Sequence, residues 1–98
     1  MSLQAHQVRH LRSLAHHLKP IVWIGQKGVS DAVLVELNQA LEAHELIKIK
    51  TGSKCDQETL DTLCERGRAE LVSSVGGKVC LFRRNHQTPK ITLPPTKK

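Results

Sequence analysis

The stretch at residues 21–51 carries three hydrophobic patterns in succession. A continuous apolar run at residues 21–24 comes first, a segment with apolar residues every three or four positions follows, and residues 45–51 then alternate. Alternation indicates a strand, and the wider spacing indicates a helix. A strand, a helix and a strand in this order predict a parallel pair of strands with a right-handed crossover. This unit places the chain in the α/β class.

The run at residues 21–24 combines β-branched residues with Trp23. An unbroken apolar run of this kind is typical of a central strand that is covered on both faces. We therefore predict that Trp23 packs in the core.

Three helices are predicted around these strands. Residues 3–18 have an amphipathic pattern that Pro20 ends, because a residue before proline avoids the α region. Ser30 is a favourable N-cap for the second helix, and Asp56 is one for the third. Gly67 stands where a glycine often ends a helix.

The end of the chain predicts a hairpin and a tail. Strands near residues 69–75 and 78–84 are joined by Gly76-Gly77, a two-residue hairpin signal. The full order is α-β-α-β-α-β-β, which predicts a single domain at residues 1–84 with a four-stranded mixed sheet and packed helices. Residues 85–98 contain three prolines and end in two lysines, so a loose basic tail is expected.

The charged residues are unevenly distributed. The chain has 15 Lys and Arg against 9 Asp and Glu, which gives a formal net charge of +6. Residues 1–30 and 71–98 contain no acidic residue, whereas residues 31–70 contain all nine. If the two basic blocks meet in the fold, they create a field that attracts a polyanion. A charge surplus that only serves solubility is the alternative.

Several classes of protein are not expected. No apolar run approaches the roughly 20 residues of a membrane span, and the N-terminus lacks the apolar core of a signal peptide. Cys55, Cys64 and Cys80 show no CxxC spacing, which favours reduced and mostly buried thiols. We therefore expect a cytosolic protein. No catalytic or cofactor motif is present, so catalysis is not expected.

His6, His10 and His17 share a narrow stripe of the first predicted helix. Their spacing suits metal chelation, but no cysteine or carboxylate lies nearby in sequence, so a solvated helix face is favoured. A secondary hypothesis is that protonation of these histidines strengthens the binding of a nucleic acid below about pH 6.5.

The loop at residues 25–28 connects the first strand to the second helix. Gly25 and Gly28 permit positive φ and a close approach of the backbone to a phosphate, and Lys27 adds a charge beside Gln26. The N-terminus of the following helix directs N–H groups to the same place. The pattern is similar to the GXXG loop with which KH modules hold a nucleic-acid backbone. A plain tight turn is the alternative.

Four blocks of the sequence resemble the CRM domain family (chloroplast RNA splicing and ribosome maturation), in particular its free-standing bacterial YhbY-type members. They are Leu18-Lys19-Pro20, the loop at residues 25–28, and the segments at residues 45–50 and 75–83. The resemblance implies an RNA-binding α/β domain that is similar to the C-terminal domain of translation initiation factor three. For the bacterial members it also implies association with precursors of the large ribosomal subunit.

On this basis we predict an RNA-binding site with two parts. The loop forms a clamp on the RNA backbone that consists of Gly25, Gln26, Lys27 and Gly28. Around it lies a basic surface, which Arg9 and Arg12 extend and which otherwise comprises Lys19, Lys48, Lys50, Lys54, Arg83 and Arg84. Recognition of the backbone and of shape is expected rather than stacking on bases, because Trp23 and Phe82 lie in apolar strand contexts.

The predicted partner is ribosomal RNA in precursors of the large subunit. A monomer is expected, and no metal, cofactor, membrane or small-molecule substrate is expected. The alternative is a protein-interaction adaptor whose basic face docks an acidic partner protein.

Overall fold

Within the residues that the structure describes, three helices and four strands follow one another in the predicted order. The computed structural model describes residues 3–25, 28–51 and 56–95. The predicted N-caps are confirmed, since Ser30 Oγ accepts a hydrogen bond from the N–H of Val33 and Asp56 Oδ1 accepts one from Thr59. The elements are α1 (Ala5–Ala15), β1 (Val22–Ile24), α2 (Asp31–His44), β2 (Leu46–Thr51), α3 (Gln57–Gly67), β3 (Glu70–Val75) and β4 (Lys78–Phe82).

The four strands form one mixed sheet in the order β1-β2-β4-β3. β1 runs parallel to β2, as the crossover through α2 predicts, and β4 is antiparallel to both β2 and β3. Gly76 and Gly77 have φ values of 52° and 83°, which a two-residue hairpin turn with positive φ at both positions requires. The predicted α/β class and mixed sheet are confirmed. The likeness to the C-terminal domain of translation initiation factor three stays a prediction.

α2 and α3 cover one face of the sheet, which we call the α2/α3 face. Alternate strand residues share a face, so Ile47 and Ile49 of β2 point to it together with Val79 and Leu81 of β4. Burial of each large aliphatic side chain contributes about 2 kcal/mol. The helices add the buried residues Leu37, Leu41, Leu60 and Leu63.

α1 packs on the opposite face, which we call the α1 face, and covers only part of it. Leu11 and Ala15 of α1 are buried against Leu46, Val72 and Phe82 of the sheet. These three strand residues belong to the half of the sheet that lies away from the turn between β3 and β4. Among the described residues, α1 therefore leaves the half of the α1 face nearer to that turn uncovered.

Two helix ends differ from the prediction. α1 ends at Ala15, earlier than predicted, with His16 as its C-cap. Gly67 is still helical, and Arg68 adopts the left-handed conformation after it with φ 49°. Gly67 serves close packing instead, because a Cβ at this position would lie only 3.0 Å from Leu37 Cδ2.

The prediction that β1 is a central strand covered on both faces is wrong. Among the described strands, β1 pairs with β2 alone and forms an edge of the sheet. Val22 and Ile24 are buried on the α2/α3 face, whereas Trp23 between them is 59% exposed. Trp23 therefore lies on the α1 face and outside the core. A short apolar run has the same composition in an edge strand and in a central strand, so periodicity does not separate the two.

The prediction of a loose tail is wrong for residues 85–95. Apolar tail residues pack against the α1 cluster. His6 Nε2 lies 2.8 Å from the carbonyl oxygen of Pro95, and His10 Nε2 lies 3.1 Å from that of Thr92. A carbonyl only accepts, so each imidazole donates from Nε2. His6 and His10 thus bind the tail through exposed hydrogen bonds, while the link between histidine protonation and RNA binding stays a prediction.

Glu45, directly after α2, is a buried carboxylate that anchors the start of the tail. It has no exposed surface and accepts hydrogen bonds from the backbone N–H groups of Asn85 at 2.5 Å, Lys90 at 2.5 Å and Ile91 at 2.8 Å. Arg84 Nη1 lies 3.5 Å from Glu45 Oε1. The backbone of Glu45 has φ 63°, which is uncommon for a residue with a side chain. Glu45 therefore both turns the chain out of α2 and holds the tail.

We expect Glu45 to make the protein's stability depend on pH in the acidic range. Burial by itself raises the pKa of Glu45, but the three N–H donors and the charge of Arg84 offset it and hold the pKa below its ordinary value of 4.5. A carboxyl with a lowered folded-state pKa stabilises the fold above its unfolded pKa and loses this contribution as the pH falls through the folded value. Urea unfolding at a series of pH values should therefore show a fall in stability below pH 4.5 that is smaller in Glu45→Gln.

Candidate functional site

The loop between β1 and α2 is described at its two glycines. The N–H of Gly28 donates to the carbonyl of Gly25 at 3.0 Å, which closes a tight turn. Gly28 has φ 76°, in the left-handed region that favours glycine. The predicted clamp residues Gln26 and Lys27 lie outside the described residues. The N–H of Gly28 is thus used within the turn.

Residues at the N-terminus of α2 partly satisfy the free N–H groups and the positive end of this helix. Ser30 Oγ accepts the N–H of Val33 at 3.2 Å. Asp31 is exposed in the first turn and places a negative charge there. Both features reduce the attraction of this helix end for a phosphate. Lys27 supplies the positive charge in the sequence of this loop.

Three connections lie where β1 and β2 end. This edge of the sheet runs across the strands and differs from the edge that the strand β1 itself forms. β1 and β2 are parallel, so the loop at residues 25–28 and the segment after Thr51 leave the sheet at the same edge. The turn between β3 and β4 also lies there, because the N–H of Thr51 donates to the carbonyl of Gly77 at 2.7 Å. Lys54 falls in the segment after Thr51 but outside the described residues. The loop therefore opens on the same edge as the hairpin turn.

A row of four exposed residues crosses the α1 face next to this edge. Trp23 pairs with Lys50, Lys50 pairs with Lys78, and Lys78 pairs with Val75. We call these four residues the cross-sheet row. Adjacent strands lie about 4.8 Å apart, so the row extends over about 14 Å. It places two lysines between two exposed apolar side chains.

Further cations lie between the cross-sheet row and α1. Lys48 is the next residue of β2 on this face, and α1 and its C-cap contribute Arg12 and His16. These three side chains and Lys78 line an open hollow of about 720 Å³, and none of the described residues that line it is acidic. We call Arg12, His16, Lys48, Lys50 and Lys78 the basic sheet face. It is a surface of one charge sign, and such a surface attracts anions.

The structure does not bring Arg83 to the basic sheet face. Its guanidinium lies on the α2/α3 side, where Nη1 donates to Asn38 Oδ1 at 2.7 Å and to the carbonyl of Gly67 at 2.9 Å. The carboxylate of Glu42 lies 3.5 Å from Nη2. Arg84 is also engaged elsewhere, since it contacts Glu45 and donates to the tail. Both arginines thus hold helices and tail in place.

The remaining described residues of the predicted basic surface, Lys19 and Arg9, are exposed. Lys19 precedes β1, whereas the loop follows β1, so the two lie at opposite ends of that strand. Arg9 is exposed on α1. Of the predicted basic surface, the structure therefore brings together Arg12, Lys48 and Lys50.

Sequence reasoning missed Lys78 and His16 as members of the basic sheet face, and it missed Trp23 as a member of the cross-sheet row. The position of Lys78 could have been predicted from the sequence. A two-residue turn at Gly76-Gly77 places Lys78 opposite Val75, and strand alternation then determines on which face of the sheet it lies. No signal was available for Trp23, since its exposure depends on β1 being an edge strand.

Other groups offer little chemistry. Burial raises the pKa of the Cys64 thiol, and the charge of Asp61 adds to this, which disfavours the reactive thiolate. Cys80 is free and buried. Among the described residues, no three metal-ligating side chains of His, Cys, Asp or Glu come together. Within the same ranges, no helix has the length and apolar character that crossing a bilayer requires.

Comparison with known proteins agrees with this architecture. A profile described as the CRS1 / YhbY (CRM) domain matches residues 3–83. The chain is 38% identical over 93 residues to a protein of Pseudomonas aeruginosa named a probable RNA-binding protein, with 92% of this chain and 89% of the relative covered. It is 36% identical over 97 residues to a protein of Haemophilus influenzae named an RNA-binding protein, with 95% and 96% covered.

A solved structure matches over nearly the whole chain. The solution structure of a hypothetical protein from Staphylococcus aureus superposes with a TM-score of 0.82 at 34% sequence identity. The superposition covers 95% of this chain and 100% of the other. On the family profile, the two relatives and this structure, the chain belongs to the CRS1/YhbY (CRM) domain family.

Proposed function

We propose that this chain is a non-catalytic, cytoplasmic RNA-binding protein that acts as a monomer on ribosomal RNA in precursors of the large subunit. The observation that carries the proposal is the basic sheet face, where four permanent cations meet on an open surface without an acidic residue among the described lining residues. The relatives named as RNA-binding proteins support RNA as the polyanion.

Binding would act mainly through the phosphates of the RNA. Each phosphate that a lysine or arginine neutralises releases condensed counterions, and this contributes about −0.7 to the log–log dependence of affinity on salt for a single strand. Arg12, Lys48, Lys50 and Lys78 together would give a slope near −3. The loop at residues 25–28 opens on the adjacent edge, so Lys27 would continue the same track of positive charge. These contacts position the RNA without selecting its sequence.

The loop is tested by Lys27→Ala. Loss of one phosphate contact should weaken binding roughly fivefold, by a similar factor for RNAs of different sequence, and should reduce the salt slope by about 0.7. Fluorescence anisotropy with labelled fragments of large-subunit ribosomal RNA at several salt concentrations measures both quantities.

Gly28→Val tests the geometry of the same loop. A β-branched residue is strained at φ 76°, but among the described residues no atom beyond the chain neighbours of Gly28 lies within 4 Å of a Cβ built there, so the domain should stay folded. Its RNA affinity should fall further than that of Lys27→Ala. Unchanged affinity in both variants, with circular dichroism spectra like the wild type, would remove the loop from the proposed site.

The ribosomal partner is tested by sedimentation of cell extracts, followed by crosslinking. The protein should migrate with precursors of the large subunit and crosslink to their RNA. An adaptor that docks an acidic protein gives a different result. If the protein is such an adaptor, excess ribosomal RNA should leave its binding to a partner protein intact. If the basic sheet face holds RNA, the same excess should abolish the binding of the partner protein.

A further inference from the structure

Trp23 is a large aromatic side chain that the fold holds in solvent. It is 59% exposed, although tryptophan is highly buried on average in folded proteins. Its neighbours Val22 and Ile24 are buried against α2, and this fixes the direction of the side chain between them on the α1 face. The indole is thus accessible on the α1 face.

The surroundings of Trp23 are cationic. Lys50 is its partner on β2, and Lys78 follows on β4. The side chains of Arg12 and Lys48 lie in the adjoining hollow, where none of the described lining residues is acidic. Proteins bind unpaired nucleic-acid strands with two components, positive groups and exposed aromatic rings. The phosphates contact the positive groups, and the bases stack on the rings.

The position of Trp23 also relates it to the loop. Trp23 lies two residues before Gly25, where the loop at residues 25–28 begins. An RNA backbone that is bound along the cross-sheet row and the loop would therefore pass the indole. Bases within a stem are stacked on one another and present no free face, whereas an unpaired nucleotide in a loop, bulge or end does.

We propose that Trp23 is a stacking site for one unpaired base, so that the RNA bound by this protein carries an unpaired nucleotide next to its phosphate contacts. This inference rests on the proposed RNA binding and names the class of RNA involved. Stacking is tolerant of sequence because every base has a π face. The site therefore selects the absence of pairing and not a particular base.

Two RNA probes separate stacking from charge. One is a fluorescein-labelled oligoadenylate of about 12 nucleotides, and the other is a blunt RNA duplex with the same number of phosphates. Trp23→Leu keeps an apolar side chain but removes the ring. It should weaken binding of the oligoadenylate about 10-fold, leave binding of the duplex within about twofold, and leave the salt slope unchanged. Trp23→Phe keeps a smaller ring, and its affinity for the oligoadenylate should lie between those of the wild type and Trp23→Leu.

The chain contains one tryptophan and no tyrosine, so its indole emission reports on Trp23 alone. Saturating oligoadenylate should quench this emission, and an oligonucleotide with abasic central positions should quench it much less. Equal affinity of Trp23→Leu and wild type for the oligoadenylate, an equal loss of affinity for the duplex, or an unquenched indole at saturation would each overturn the stacking site. If the anisotropy of neither RNA rises when the wild-type protein or any variant is added, the proposed RNA binding itself fails.

Discussion

Replacing Lys50 with glutamate is expected to weaken RNA binding at least about 10-fold at physiological salt while leaving the domain slightly more stable. Lys50 lies at the centre of the cross-sheet row, with Trp23 on one side and Lys78 on the other. A glutamate at this position removes a phosphate contact and adds a repulsive charge. The salt slope should become less steep by about 0.7.

The gain in stability follows from the pairing of the strands. Lys50 and Lys78 are directly opposite each other on antiparallel strands, and like charges in such a pair are destabilising. Lys50→Glu converts the pair into one of opposite charge, which should contribute about 0.2–1 kcal/mol to the free energy of unfolding. Urea unfolding measures this change. Weaker binding by a more stable protein cannot be explained by loss of the fold.

Arg66→Glu is the matched control. Arg66 is exposed in the last turn of α3, on the side of the sheet away from the basic sheet face, and its replacement changes the net charge by the same amount. Its RNA affinity should stay within about twofold of the wild type after long-range effects are screened by salt. If Arg66→Glu weakens binding as much as Lys50→Glu, binding follows net charge and the basic sheet face has no special role.

Glu45→Gln is expected to destabilise the domain by about 3 kcal/mol. The carboxylate of Glu45 accepts three backbone N–H groups and lies beside Arg84 with no exposure to water. An amide offers one acceptor oxygen, and its NH₂ group would face a donor. Buried donors then lack partners, and the charge of Arg84 is left without its counterion. Denaturant unfolding at neutral pH gives the free energy directly.

Glu42→Gln is the control for this prediction. Glu42 also lies 3.5 Å from an arginine, Arg83, but its side chain is 69% exposed. An exposed pair of this kind contributes no more than about 1 kcal/mol. A loss in Glu45→Gln that does not exceed the loss in Glu42→Gln would contradict the assigned role of Glu45 as the anchor of the tail.

The order and type of the elements were predictable because periodicity and local signals agreed. The strand–helix–strand unit, the caps at Ser30 and Asp56, and the turn at Gly76-Gly77 each depend on residues that are close in sequence. Lys48 and Lys50 were placed together for the same reason, since strand alternation is a local rule.

Other features depend on contacts between distant parts of the chain. The exposure of Trp23 follows from the order of strands in the sheet, and the packing of residues 85–95 follows from α1 and Glu45, about 40 residues or more away. Arg83 shows the same limit: its charge suggested a surface contact, but Asn38 and Gly67 bind it between two helices. Charge indicates what a side chain can bind, while the fold decides which partner it meets.

The location of the RNA is tested most directly by amide chemical-shift mapping of the isotope-labelled protein during titration with a fragment of large-subunit ribosomal RNA. The largest changes should fall on Trp23, Lys50, Lys78 and Gly76, and exposed residues on the opposite side, such as Gln39 and Arg66, should change little. Changes concentrated on α2 and α3, with none in the cross-sheet row, would contradict the assignment of RNA binding to the basic sheet face.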